Sequence, residues 1–160
     1  MHKKKREAAI SGTGGTDKAA ILGMKNRDGE VRAQVVPSVG MEDIHNVLKK
    51  NVAQGSTLYT DQWVAYRGLN FYYNRGVVNH GAKVYVAGDC HTNGIESFWA
   101  LFKRGYHGVY HQMSKKHLQK YVDEFAFRLN RREQELNERF ADVVQGTTDG
   151  KPLPYRTLIA

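Results

Sequence analysis

The sequence predicts an α/β fold, on the strength of three observations. An apolar stretch over residues 18–24 is followed, across a turn-forming Asn26 to Gly29 segment with an Asp-Gly pair, by an alternating run at Val31–Val36, which is the pattern of a β-hairpin. Ile44, Val47, Leu48 and Val52 then recur at helical spacing, and a β-prone run over residues 56–60 follows. Near the far end, Leu118, Tyr121, Val122, Phe125 and Leu129 share one face of a longer helical segment. Strand pair, helix, strand and helix, in 160 residues of which 41% are apolar, describe one domain with its own core.

The elements follow in order. Residues 3–17 are basic and then rich in Gly, Ser and Thr, so residues 1–17 are expected to form a flexible lead-in. After the hairpin, Pro37 ends the second strand because it cannot donate to a ladder. The first helix covers residues 41–52, and Gly55 stands where a C-terminal cap is expected. The next strand stops at Asp61, and residues 84–86 form another after the turn-like residues 79–83. Ser114 is the expected cap of the long helix, which ends in the basic knot Arg128, Asn130, Arg131 and Arg132. Beyond Gly146, the residues Gly150, Pro152 and Pro154 predict an irregular tail over 146–160, leaving 18–145 as the core, and no internal repeat is present.

Charge narrows the partners. Lys and Arg number 24 against 16 Asp and Glu, for a formal net charge of +8 and a pI of about 9.6, which suits a polyanion such as nucleic acid. No apolar run reaches the about 18 residues of a membrane span, and no hydrophobic segment follows the basic start, so a soluble, cytoplasmic protein is expected. The single Cys90 excludes an intrachain disulfide.

The segment with most chemical content is His91 to Lys103, HTNGIESFWALFK. At about 100° per residue, a helix through it gathers Ile95, Phe98, Trp99 and Phe102 on one arc and Asn93, Glu96, Ala100 and Lys103 on the other. The first arc belongs in a core. The second presents an amide, a carboxylate and an ammonium in a row, a set that can meet a metal ion and a phosphate. The same spacing of Asn93 and Glu96 is that of a helix capping box, and both roles can coexist. Asp61 stands at the end of a strand, where a ligand group is often placed, although an isolated aspartate there is more often a turn residue. Together, Asp61 and Glu96 make a credible Mg²⁺ site, since Mg²⁺ takes a few hard oxygens and retains several waters.

The blocks TDQWVAY, VNHGAKVY, HTNGIESFWALFKRGYHGVYH and KHLQKYVDEFAFRLNRR resemble the ISXO-like insertion-sequence transposases of the DDE superfamily. The likeness runs from about Lys18 to Arg132. It implies a ribonuclease-H-like mixed sheet flanked by helices and an active site of three acidic residues binding Mg²⁺ or Mn²⁺. On that resemblance Asp61 matches the second acidic residue and Glu96 the third, with Asn93 and Lys103 as their polar and basic companions. The implied chemistry is two-metal phosphoryl transfer, with water and then a 3′-hydroxyl as nucleophile and Lys103 neutralising phosphate charge. DNA at transposon ends and target would be the partner, together with further copies of the chain or a full-length transposase, because two ends must be synapsed; no membrane is implied.

Members of the family carry their first acidic residue on a strand ahead of the basic, glycine-rich stretch with which this sequence starts. The resemblance therefore implies that the first strand and its aspartate are missing, with cleavage impaired and a sheet edge left unpaired. Neither Asp17, in the lead-in, nor Asp28, in the hairpin turn, stands where it could replace that aspartate. The alternative is a non-catalytic remnant that binds DNA or a complete transposase.

Other constellations carry less. His80, Cys90, His91, His107 and His111 are zinc-ligand types without paired spacing, and Gly12, Gly14 and Gly15 lack the Lys-Ser/Thr of a phosphate loop. Tyr59, Trp63, Tyr66, Tyr72 and Tyr73 suit base stacking but more often pack a core. Lys103, Arg104, Lys115, Lys116, Arg128, Arg131 and Arg132 are the expected phosphate contacts.

Overall fold

A computed structural model describes residues 18–78, 86–87, 90–91 and 93–150, with the backbone alone described at 86–87, 90–91 and 93. Strand β1 (Ala20–Lys25) pairs antiparallel with β2 (Val31–Val36) in the register Ala20 opposite Val36 through Lys25 opposite Val31. The turn closes as the sequence predicts. Gly29 takes φ +96°, and the Asn26 side chain accepts the Glu30 N–H at 2.8 Å, an Asn supplying its own backbone with a turn bond.

Period-two alternation in the hairpin gives it two working faces. Leu22 and Val36, with Ala20 and Met24, pack against helix α1 (Met41–Asn51) through Ile44, Val47 and Leu48. Val31 and Ala33, with Ile21 and Val35, face the opposite way onto helices α2 (Asn93–Gly105) and α3 (Leu118–Asn130), where Phe98, Val122 and Phe125 are buried. The result is three layers, helix, hairpin, helix pair. Close approach of α2 depends on Gly23, where a Cβ would lie 2.7 Å from Trp99 Cζ2 and 2.9 Å from Ile95 Cδ1.

The outer edge of β2 is closed by side chains of α3. Asn130 accepts the Val31 N–H at 2.8 Å and donates to the Val31 carbonyl at 2.9 Å, while Gln119 accepts the Val35 N–H at 2.7 Å and donates to the Ala33 carbonyl at 3.1 Å. The two amides act as a short substitute strand, so the edge is not open to pairing.

Strand β3 (Thr57–Thr60) pairs in parallel with β4 (Asn74–Val77). Their connection runs through two 3₁₀ turns, Val64–Tyr66 and Leu69–Phe71, seated on the α1 side by Ala65 and the fully buried Leu69. Arg27 ties the hairpin turn to β3 by donating to the Tyr59 hydroxyl at 3.2 Å. Strands β5 (Val86–Ala87) and β6 (Cys90–His91) form the third pair, which is antiparallel. Helix α4 (Leu136–Asp149) has no buried residue and is held by Arg131 Nε to Asp142 at 2.6 Å and by Arg139 to the Gln134 carbonyl at 2.9 Å.

The α/β class holds, and several expectations are corrected. Among the described residues the strands form three two-stranded ladders and not one mixed sheet. Val52, in an extended conformation, caps α1 by donating to the Leu48 carbonyl, and Gly55, at φ +83°, serves the following turn. Ser114 makes no side-chain cap; a 3₁₀ turn at Lys115–His117 precedes α3. Helix α4 continues past Gly146, where an irregular tail was expected. The expected lead-in, the turn at 79–83 and the last ten positions of the tail lie outside the described residues, and of the strand expected at 84–86 only Val86 lies inside them.

Candidate active site and nucleic-acid interface

Asp61 is the first residue after β3 and is exposed. Its carboxylate Oδ1 accepts the Trp63 N–H at 2.9 Å, so the aspartate does act as a turn residue, with one oxygen. Its main-chain carbonyl accepts two bonds, from the Thr60 hydroxyl at 2.9 Å and from Arg75 Nη2 at 3.0 Å. Arg75 comes from the neighbouring β4, and its Nε also donates to Thr60 Oγ1 at 2.9 Å. Tyr66 stands over this corner. Burial, and then the Asp61 carboxylate, push its hydroxyl above the ordinary tyrosine range, with Arg75 acting in the opposite direction.

Helix α2 has the two faces that its sequence predicts. Ile95, Phe98, Trp99 and Phe102 join the core, with Phe98 completely buried, while Glu96, Ala100 and Lys103 are exposed. Asn93 is the first residue of the helix; its side chain, and with it the capping-box alternative, lies outside what is described. At the start of α2, Gly94 leaves room for Lys25, since a Cβ there would meet Lys25 Nζ at 2.6 Å. This places a cation beside the first turn, against a residue two positions before Glu96. Lys103 lies at the rim of a cavity of about 410 Å³ lined by Ala19, Ile21, Trp99, Phe102 and Tyr106.

Asp61 and Glu96 thus stand on different elements, and no contact joins them among the described residues. Nor do those residues contain a group of three or more His, Cys, Asp or Glu side chains able to hold a metal ion. Among them, too, neither carboxylate is committed to an ion pair.

The expected DNA contacts lie on several elements. Lys103 and Arg104 are exposed in the last turn of α2, and Lys115 and Lys116 are exposed in the 3₁₀ turn ahead of α3. Arg128 pairs with Glu124 at 2.6 Å and Arg132 with Glu133 at 2.7 Å, both still largely exposed. Arg131 is bound to Asp142, whose carboxyl is held below the usual range by the bond from Arg131 and then by that from Gln134. Among the aromatic residues, Tyr73 is buried and Tyr59 is half-buried, whereas Trp63 is exposed beside Asp61 and meets Tyr66 edge-to-face at 5.5 Å. No helix of the described residues is long and apolar enough to cross a membrane.

Arg75, Thr60 and Lys25 were not singled out by sequence reasoning. The two partners of Arg75 are a hydroxyl and a main-chain carbonyl 15 and 14 residues away, and nothing local marks such a role.

No curated protein and no solved structure matches the chain. The sequence model of the ISXO2-like transposase domain, however, matches residues 1–130 and includes the end of β3, all of α2 and all of α3. With most of its length matched, the chain belongs to the ISXO2-like transposase domain family.

Proposed function

We propose that the chain is the catalytic core of an insertion-sequence transposase that cuts DNA at transposon ends and joins the cut ends to a target. The observation that carries this is the position of Asp61 and Glu96 within the family match: one ends a strand, the other lies on the solvent face of a helix whose opposite face is core. A role in the fold alone would not need that face to hold a carboxylate and, two turns on, an ammonium.

The donor chemistry fits a divalent cation. Asp61 spends one carboxylate oxygen on Trp63 and keeps the other, and Glu96 is exposed. These oxygens would hold Mg²⁺ or Mn²⁺, which supplies a more acidic bound water and neutralises charge on the leaving oxygen. Lys103 would meet a phosphate oxygen near the scissile bond, with Arg104, Lys115 and Lys116 fixing the duplex through its backbone. The third acidic residue that such chemistry uses is assigned to no described position, and Asn93 is proposed to align Glu96 or the nucleophile.

The test is cleavage of labelled transposon-end DNA with Mg²⁺ or Mn²⁺ by the 160-residue chain. Metal-dependent nicks leaving a 3′-hydroxyl, lost in Asp61→Asn and Glu96→Gln, are expected. DNA binding without cutting, unaffected by either substitution, would replace the enzyme with a DNA-binding module.

A further inference from the structure

We infer that Arg75 is a positioning residue for Asp61, a role that rests on the reading of Asp61 as a metal ligand. The ladder between β3 and β4 closes with the Val78 N–H donating to the Thr60 carbonyl at 2.8 Å. The next carbonyl, that of Asp61, lies past the last ladder bond and has no strand partner. Arg75 and Thr60 supply it with two donors, and because Arg75 also binds the Thr60 hydroxyl, the three residues close a ring of hydrogen bonds. Thr60 is 6% exposed and Arg75 half-buried, so the Thr60 side of the ring is shielded from competing water, while the Arg75 Nη2 bond to Asp61 lies at the surface.

The ring fixes the main chain of Asp61 from one side, and the Trp63 N–H fixes Oδ1 from the other. One carboxylate oxygen, Oδ2, is left to point outward from a held backbone. Arg75 does this without pairing with the carboxylate, so the negative charge is not spent. A guanidinium suits the task because it is planar, always charged and able to donate to two acceptors in fixed directions; a lysine keeps the charge and loses the fork.

Positioning and simple electrostatics predict opposite signs. A cation beside a metal site repels the metal, so on charge alone Arg75→Gln would tighten metal binding and Arg75→Lys would leave it unchanged. Positioning predicts weaker binding in Arg75→Gln, in Arg75→Lys, and in Thr60→Val, which breaks the ring without altering charge. The loss should be about tenfold or more, the usual effect of removing a group that orients a metal ligand.

The experiment is a Mn²⁺ titration of the full chain, read by paramagnetic broadening of backbone amide NMR signals at Asp61, Gln62 and Trp63 and around Glu96. In the wild type these signals broaden first and with one midpoint; Asp61→Asn abolishes the effect at 61–63, and the Arg75 and Thr60 variants raise the midpoint about tenfold. If Arg75 substitution unfolds the chain, Thr60→Val decides. An unchanged or lowered midpoint in Arg75→Lys and Thr60→Val, with Asp61→Asn still defective, overturns the role of Arg75. Wild-type broadening no stronger at 61–63 than around Glu138 overturns the metal reading itself, and the role of Arg75 with it.

Discussion

Replacing Asn130 with alanine removes both hydrogen bonds that its amide makes to Val31 and opens the outer edge of β2. The two bonds, 2.8 and 2.9 Å long, join residues 99 apart in sequence and hold the end of α3 against the hairpin. Each contributes about 1 kcal/mol net, and the cost rises if the Val31 main chain, on a residue 1% exposed, is left without water. Alanine returns up to about 0.5 kcal/mol in helix propensity, less at a terminal position such as this one. A loss of about 2 kcal/mol follows, which for a domain of this size lowers the unfolding temperature by about 4–8 °C. Urea unfolding followed by circular dichroism measures it, with the slope unchanged if only the folded state is affected. Asn130→Asp sets an acceptor against the Val31 carbonyl and should cost more than alanine at neutral pH. Stability of Asn130→Ala within about 0.5 kcal/mol of wild type would refute the closing of the edge by side-chain amides.

Three further outcomes follow from other contacts. A Cβ at Gly105, the last residue of α2, would run into the Phe125 ring, so Gly105→Ala should destabilise by about 1–3 kcal/mol in the same unfolding assay. The Asp142 carboxyl is held below its ordinary value by Arg131, so its contribution to docking α4 is present above the unfolded value near pH 4 and is lost as pH falls through the lower folded value; chemical shifts of α4 should move there, and Arg131→Gln should move them at neutral pH. For DNA binding, each phosphate contact removed by Lys103→Gln, Arg104→Gln or Lys116→Gln should reduce the slope of log affinity against log salt by about 0.9, whereas Arg131→Gln should act mainly through α4.

How much of this is legible in the sequence depends on whether the cause is local. The hairpin is readable because alternation from Val31 to Val36 and the Asn26 to Gly29 turn are both short-range, and the two faces of α2 are readable because burial sorts Phe98 and Trp99 from Glu96 and Lys103. Strand β4, with the sequence Asn-Arg-Gly-Val, has neither alternation nor strand propensity and exists by pairing with β3. Helix α4 was missed although Leu136, Phe140, Val143 and Val144 recur at helical spacing, because Gly146 reads as a terminator; these residues are exposed, so the helix draws little from the core. In the candidate site, Asp61, Glu96 and Lys103 stand out by type and position, while Arg75 works through main-chain atoms that carry no sequence identity.

The central claim, that Asp61 and Glu96 serve one metal site, is tested most directly by loading the chain with Fe²⁺ and adding hydrogen peroxide and ascorbate, so that peroxide reduced at the bound Fe²⁺ yields hydroxyl radicals that cut the polypeptide beside its ligands while ascorbate returns Fe³⁺ to Fe²⁺. Fragments ending near residue 61 and near residue 96 are predicted together, and both should vanish in Asp61→Asn and equally in Glu96→Gln. Cutting at one position only, or a cut near 61 that survives Glu96→Gln, would contradict a shared site.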